Sequence, residues 1–381
     1  MNILFVIDKM NNYAGIERIL TSKMNYIVNH TSHKVYLTTY EQQSQPLPFP
    51  LDVNIIYKPL DIMMPQRNEM TFFQWLKAYH DVRHRFSYQF KSLIKCIRPS
   101  LVVSTVYSYQ VLDIIIKTCH QRGIKTIMES HTQGETITLS HKFKYNQYLF
   151  KLFSLCDNYI MRSLKHCNCV VTLTKQDLPF WQKYAKRIEV IPNMLTITPK
   201  MVTNYDAKRA ISAGRYMPEK GFDLLLEAWH LLPEEFCNWH LYIFGNEDRT
   251  MYQKIVEKYH LEKTVHLMPA TNDVTEEFSK SSLYVMSSRY EGFGLVLAEA
   301  MSCGLPCVSF DCPYGPREII TDGEDGLLAR YKDVEDLANK MAHLMTNSEL
   351  RRIMGKHAIK NVTRYEPQNI MNQWNNLFET L

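Results

Sequence analysis

Short apolar runs alternate with longer stretches of helical period along almost the whole chain. In the first half the runs fall at residues 3–7, 34–39, 53–57, 101–105, 125–129 and 169–174, and a further one, 188–191, ends at Pro192-Asn193. Short continuous runs bounded by turn-forming residues are what strands buried on both faces look like. The pattern restarts at 210–213 and continues through 240–244, 264–267, 283–286, 306–309 and 326–329. Between the runs lie helical patterns such as 222–232, where Leu224, Leu225, Ala228 and Leu232 share one face. Strands alternating with helices predict an α/β fold with parallel sheets, and the restart predicts two such domains. The expected division is a first domain over 1–192, a polar linker over 193–208, a second domain over 209–363 and a C-terminal segment over 364–381. That last segment carries Ile370, Trp374, Leu377 and Phe378 at helical spacing after Pro367, so a helix that docks back on the N-terminal domain is expected.

Composition narrows the class without naming a function. With 381 residues, 45% hydrophobic and 22% charged, the chain is ordinary globular material, which excludes disordered, collagen-like and disulfide-scaffold readings. Nine cysteines show no paired Cys-x-x-Cys knuckles, and the His166-Cys167-Asn168-Cys169 cluster runs straight into apolar Val170-Val171. Packed thiols in a reducing cytoplasm are expected rather than a metal site. The apolar N-terminus, residues 1–8, is too short for a signal peptide and reads as a strand. No run approaches the roughly 20 apolar residues of a membrane span.

The net charge of +5 is too mild to imply nucleic-acid binding, and none is expected. Its distribution is more informative. Residues 1–190 hold 24 Lys+Arg against 13 Asp+Glu, whereas residues 191–381 hold 20 against 26. Two segments of the basic half, 142–151 and 72–98, interleave cations with aromatics as peripheral membrane segments do. A solvated basic face over core aromatics is the plainer alternative.

Four constellations offer chemistry. Ser287 to Pro306 reads as strand end, glycine-interrupted loop, helix, then next strand, with Gly292 and Gly294 ahead of a helix that starts near Leu295. First-turn N–H groups at such a start suit a phosphate. Glu291 and Glu299 flank it, and a carboxylate grips a pair of sugar hydroxyls well. Gly214-Arg215 and Pro218-Glu219-Lys220-Gly221 place Arg215 and Lys220 just past a strand, positioned to neutralise a diphosphate. Tyr13-Ala14-Gly15 follows the first strand but lacks the three-glycine fingerprint, so no nicotinamide cofactor is indicated. His131, after Met128-Glu129-Ser130, is a candidate acid/base or hydrogen-bonding group. Each has a bland reading when taken singly: Glu291 a helix cap, Glu299 and Arg215 solvated, 13–18 a plain turn, His131 a satisfied structural histidine.

Taken together and in order, these segments resemble the retaining glycosyltransferases of glycosyltransferase family four. The match rests on Glu291 and Glu299 with seven residues between, on Gly292-Phe293-Gly294 and Ala298-Glu299-Ala300-Met301, and on Gly214-Arg215 with Pro218-Glu219-Lys220-Gly221. Val190-Ile191-Pro192-Asn193 and Glu318-Ile319-Ile320-Thr321-Asp322-Gly323 extend it over nearly the whole chain. Two positions depart from the family pattern: Ala14 stands for the first glycine of the first loop, and Gly245-Asn246 lacks a second glycine.

The resemblance implies the GT-B architecture, two Rossmann-like βαβ domains facing a central cleft, with a metal-independent site. By it, Glu299 binds the ribose, while Glu291 holds the donor sugar with help from the backbone of Phe293 and Gly294. Arg215 and Lys220 stabilise the leaving diphosphate with the amides of Leu295 and Val296. Gly15 lets the first loop approach, His131 faces the sugar, and the strand end at His266 and Met268 contacts the base. The expected donor is a nucleotide-diphosphate sugar, most simply a UDP-sugar. The expected acceptor is a growing, lipid-linked glycan of capsule, lipopolysaccharide or other surface polysaccharide, built on the cytoplasmic face of the inner membrane. A nucleotide-sugar epimerase or a non-catalytic partner of the same architecture are the alternatives.

Overall fold

The computed structural model describes residues 1–12, 15–65, 70–138, 147–199, 203–271 and 273–381. The chain divides into two compact units, one of Met1–Ile191 with Met371–Leu381, the other of Pro192–Ile370.

The first unit is built on seven strands: β1 (Asn2–Ile7), β2 (Lys34–Thr39), β3 (Ile56–Tyr57), β4 (Leu101–Thr105), β5 (Lys125–Glu129), β6 (Cys169–Thr172) and β7 (Ile188–Val190). They lie in the order β3-β2-β1-β4-β5-β6-β7. The second unit has six: β8 (Arg209–Ala213), β9 (His240–Gly245), β10 (Val265–Pro269), β11 (Leu283–Met286), β12 (Cys307–Phe310) and β13 (Gly326–Ala329). Their order is β10-β9-β8-β11-β12-β13. All pairings between these strands are parallel, for example Ile3–Val35 and Phe5–Val103 about β1, and Ala210–Leu241 and Ala210–Leu283 about β8. In both sheets the winding reverses beside the first strand, between β1 and β4 and between β8 and β11. In open α/β sheets that reversal opens a crevice beyond the carboxyl ends of the strands.

Every strand run expected from the pattern is present, though the runs 169–174 and 188–191 end at Thr172 and Val190, and 53–57 is cut to two residues. Of residues 53–57 only Ile56–Tyr57 pairs, because the Asp52 carboxylate accepts the N–H of Asn54 and turns the chain, leaving Val53 97% exposed. The helix expected over 222–232 is Phe222–His230. Pro233 follows, and a proline disfavours helical geometry in the residue before it.

Helices cover the sheets and close the cores. In the first unit Leu4, Val6 and Val102 meet Phe86, Phe90 and Ile94 of the helix Phe72–Ile97, while Met128 and Val170 meet Ile160, Leu164 and Trp181. In the second, Leu225 and Trp229 of Phe222–His230 pack with Leu241, Ile243, Val308 and Phe310. The C-terminal helix Pro367–Thr380 docks where its apolar stripe requires, against the first unit from Met371 onwards. Trp374 lies 3.8 Å beneath the Lys23 ammonium, Phe378 meets the edge of His33, and the Thr380 carbonyl and hydroxyl accept from Arg187 at 3.0 and 2.8 Å.

All nine cysteines are free, and Cys167 and Cys169 are buried. Burial pushes the Cys169 thiol up to about 12, so it packs as a small apolar group. Among the described residues no helix is long and apolar enough to cross a membrane.

Candidate functional site

Two loops meet at the switch point of the second sheet, one leaving β8 and one leaving β11. Gly221 makes their approach feasible. Its φ is +62°, and a Cβ there would stand 2.1 Å from the Ser287 carbonyl oxygen, so only glycine fits without displacing backbone. Arg289 then ties the loops together: its N–H donates to the Glu219 carbonyl at 2.8 Å, and its guanidinium grips Asp223 bidentately at 2.8 and 2.6 Å. The Ser287 hydroxyl donates to the Lys220 carbonyl at 3.0 Å.

The product of this clamp is a charge pair. Lys220 Nζ lies 2.7 Å from Glu291 Oε1, and the Ser288 hydroxyl donates to the same oxygen at 2.6 Å. The two side chains are 22% and 11% exposed, sheltered but reachable. The methylenes of Lys220 run 3.2 to 3.4 Å from where a Gly214 Cβ would sit, so that glycine keeps the lysine stem in place. Arg215 is more open and pairs with Glu219 at 2.9 Å. The buried Cys312 thiol beside the charge pair is pushed up to about 12 by burial and then by the Glu291 charge.

The helix Leu295–Ser302 starts next to this pair. Its N-cap is Gly294 at φ +88°, which offers no side chain to the first N–H groups, including those of Leu295 and Val296. Phe293 is buried with its ring edge against Tyr365, so only its backbone can serve a ligand. One helical turn further, Glu299 is buried and accepts from the Thr196 hydroxyl at 3.2 Å. Glu291, Arg215, Lys220, Gly294, Leu295, Val296 and Glu299 thus belong to one set of loops about β8 and β11.

His266 does not join them. Its ring turns towards the strand beginnings, stacked on His240 with facing nitrogens 3.1 Å apart and tilted against Tyr242, and burial followed by the His240 charge lowers its pKa. Met268, nearer the strand end, offers a carbonyl that already accepts from the Tyr216 hydroxyl at 3.0 Å.

In the first unit Gly15 is the exposed first residue of the helix Gly15–His30, and Tyr13 and Ala14 lie outside the described residues. The His131 side chain, just past β5, is fully buried, with Nε2 3.4 Å from Glu129 Oε1. Asp8, the residue after β1, was not singled out from the sequence. Its carboxyl is pushed up to about 7, mainly by burial, with backbone N–H of Lys9 opposing and Glu41 adding. An acidic residue directly after the central strand was the available signal. Arg289, Asp223, Ser288 and Thr196 were also missed; Ser288 and Arg289 stand beside Glu291 in sequence, but nothing in spacing assigns them a partner.

Residues 196–361 match the family model described as Glycosyl transferases group 1. A glycosyltransferase of Haemophilus influenzae is 30% identical over 232 residues, 58% of this chain and 66%, just under two thirds, of its own. The amylovoran biosynthesis glycosyltransferase AmsD of Erwinia amylovora is 24% identical over 98% of this chain and 99% of its own. Among solved structures, Staphylococcus aureus TarM, in complex with fondaparinux, alpha-GlcNAc-glycerol and UDP, superposes with a TM-score of 0.76 over 99% of both chains at 16% identity.

Proposed function

We propose that the chain, whose residues 196–361 match the group 1 glycosyl transferases, is a transferase of that kind that moves a hexose or N-acetylhexosamine from a UDP-sugar to a growing surface glycan. The reading is of a retaining, metal-independent transfer to a lipid-linked acceptor on the cytoplasmic side of the membrane. The observation that carries it is the Lys220–Glu291 pair beside a glycine-capped helix start at the switch point. A diphosphate needs cations and unpaired N–H groups, and a sugar needs a carboxylate next to them; these loops hold all three.

In this reading Lys220, Arg215 and the amides of Leu295 and Val296 take up the charge that develops on the departing nucleoside diphosphate. That is the electrostatic help a divalent ion gives in other transferases. Glu291 holds hydroxyls of the sugar, with the amides of Phe293 and Gly294. Glu299 takes the ribose hydroxyls in exchange for the Thr196 hydroxyl, and Met268 lies on the base-contacting strand end. His131 is assigned to the donor sugar. The acceptor hydroxyl attacks on the face the diphosphate leaves, and a phosphate oxygen takes its proton, so the anomeric configuration is retained. The names of AmsD and TarM's bound UDP support the glycan and the nucleotide respectively.

The membrane part of the reading rests on the first unit. The expected segment 142–151 lies largely outside the described residues, but 72–98 forms the helix Phe72–Ile97 with Arg98 as its C-cap. Lys91, Lys95 and Arg98, together with Arg122, line a groove walled by Tyr88, Ile94 and Ile124 where β4 and β5 begin. Residues 82–128 hold eight Lys+Arg and one acidic residue, Asp113.

The decisive assay is transfer from UDP-sugars by purified Lys220→Ala and Glu291→Ala. Each is expected to lose on the order of a hundredfold or more in kcat/KM while melting close to the parent. Full activity in either variant would overturn the site.

A further inference from the structure

The loops over residues 214–221 and 287–294 hold three cations, Arg215, Lys220 and Arg289, and each is already matched by a carboxylate. The three pairs are not alike. Arg289 grips Asp223 with two nitrogens and also donates to the Pro218 carbonyl at 2.7 Å, so opening that pair would release the loops from each other. Lys220 and Glu291 can part usefully, because the proposed transfer gives each a portion of the donor to hold, phosphate for one and sugar hydroxyls for the other. The pair of Arg215 with Glu219, 2.9 Å apart, differs from both. Its arginine has a phosphate to move to, and its glutamate has nothing to receive in exchange.

We propose that Glu219 is the resident counter-ion of Arg215, which a bound diphosphate has to displace: it is a positioning residue that holds the guanidinium while the site is empty and limits how tightly the spent nucleoside diphosphate is retained. The proposal rests on the reading of Arg215 as a diphosphate-binding residue.

Which partner moves follows from how each is anchored. Glu219 lies in the short 3-10 turn Pro218–Lys220, its carbonyl accepts the Arg289 N–H at 2.8 Å, and Gly221 behind it packs against the Ser287 carbonyl. Its carboxylate is 18% exposed and rides on that fixed main chain. The main chain about Arg215 is pinned as well, since Gly214 N–H donates to the Phe244 carbonyl and Tyr216 N–H to the Asn246 carbonyl, both at 2.9 Å. Its guanidinium, however, is 52% exposed at the end of a long flexible stem, so it is the group that can turn.

The charges then set the sign of the effect. Counted with Asp223, the three pairs carry no net charge. A diphosphate adds negative charge, and once Arg215 turns to it Glu219 stands unpaired beside a second anion. The lost pair and the new repulsion both subtract from affinity, by a small amount because the arginine is open to solvent. In the proposed transfer the charge that develops on departure falls on the terminal phosphate, the one a nucleoside monophosphate lacks. A monophosphate therefore leaves the Arg215–Glu219 pair closed and escapes the penalty.

The test is calorimetric titration of the full-length protein with UDP and, separately, with UMP. Glu219→Gln keeps the shape and removes the charge; it should tighten UDP roughly two- to fivefold and leave UMP at the parent value. Glu219→Ala, as a second variant, should behave alike. In an Arg215→Gln background Glu219→Gln should change nothing, because no guanidinium is left to release. UDP should also inhibit transfer more strongly in Glu219→Gln, by the same factor. Unchanged or weaker UDP binding overturns the proposal. Equal tightening of UDP and UMP, or tightening that persists without Arg215, also overturns it, since either is the general effect of removing a negative charge. A parent that binds UDP no better than Lys220→Ala does would overturn the site reading and this proposal with it, whereas Lys220-dependent binding that ignores Glu219→Gln would overturn the counter-ion alone.

Discussion

The two halves of this chain share a winding order but hold charge at their ligand-side strand ends in opposite ways. In the second unit Lys220 and Glu291 sit on loops, 22% and 11% exposed, joined by a clamp of hydrogen bonds. In the first unit Lys23 and Glu129 sit on a helix and a strand and are almost wholly buried. A loop-borne pair can be parted by an incoming diphosphate, because solvent and ligand are both at hand. A pair sealed under Trp374 has neither solvent nor ligand at hand to exchange with. The same topology thus carries a reachable charge pair in one half and a sealed one in the other.

Swapping one residue type between these settings tests the contrast most strongly. Glu129→Ala strands the buried Lys23 ammonium, and removing one partner of a buried pair costs roughly 3–5 kcal/mol. Glu291→Ala removes a carboxylate whose partner can reach water, and should cost about 1 kcal/mol or less. Urea unfolding of both variants, read against their transfer rates, should show stability lost in the first and catalysis lost in the second. Equal losses of stability would erase the distinction.

The loop clamp is open to a finer attack. Gly221→Ala forces a Cβ against the Ser287 carbonyl at a φ of +62°, and should cost roughly 2–4 kcal/mol. It should also shift the Lys220 loop and weaken UDP binding in calorimetry. A variant that melts and binds like the parent would mean the two loops are not held as described.

Asp8 sharpens the first-unit side of the comparison through pH. Its carboxyl is raised from 3.8 to about 7, so between those values the folded chain binds more protons than the unfolded one. Stability then falls as pH rises through that window and levels off above it. Asp8→Asn should flatten the slope, gaining roughly 2 kcal/mol over the parent at pH 8 and little near pH 4. Glu129 works the other way and lower down: its stabilising contribution is present above about 4.5 and lost as pH falls towards 2. Measuring from pH 5 to 8 therefore leaves Glu129 out, and the difference between Asp8→Asn and the parent cancels Glu41, Asp177 and Asp325, whose carboxyls burial also raises. An unchanged slope in Asp8→Asn would show that the carboxyl is not held protonated.

The same difference explains what could be read from the residues alone. The candidate site of the second unit was legible because the glycines and charges that its loops bring together are also close in sequence: Gly214, Arg215, Lys220 and Gly221 within eight residues, Glu291 to Glu299 within nine. The strands were legible for a similar reason, since each buried run is self-contained. The first unit's cluster joins residues 23, 129, 131 and 374, and no local pattern links positions that only sheet order and helix docking bring together. His131 was visible as a histidine after a strand, but its neighbours were not. His266 shows the other side of locality: it lies at the expected strand, and its ring packs on His240 near the strand beginnings.

The smallest effect expected is at the groove where β4 and β5 begin, the end of the first sheet opposite to Asp8 and His131. Lys91, Lys95 and Arg98 take no part in any ion pair among the described residues, unlike Lys220 or Lys23, so their charge is directed outwards. Cations near an anionic bilayer contribute about 1 kcal/mol each, and the attraction fades within a Debye length of about 10 Å at 0.1 M salt. Changing the three to glutamine should weaken binding to phosphatidylglycerol-containing vesicles by roughly 3 kcal/mol at low salt, and by progressively less as salt is added. Thermal stability and transfer to a soluble acceptor should stay near the parent, because none of the three belongs to the loops about β8 and β11. Vesicle binding that is unaltered, or lost equally at high salt, would mean this face is solvated surface, and the membrane part of the reading would go with it.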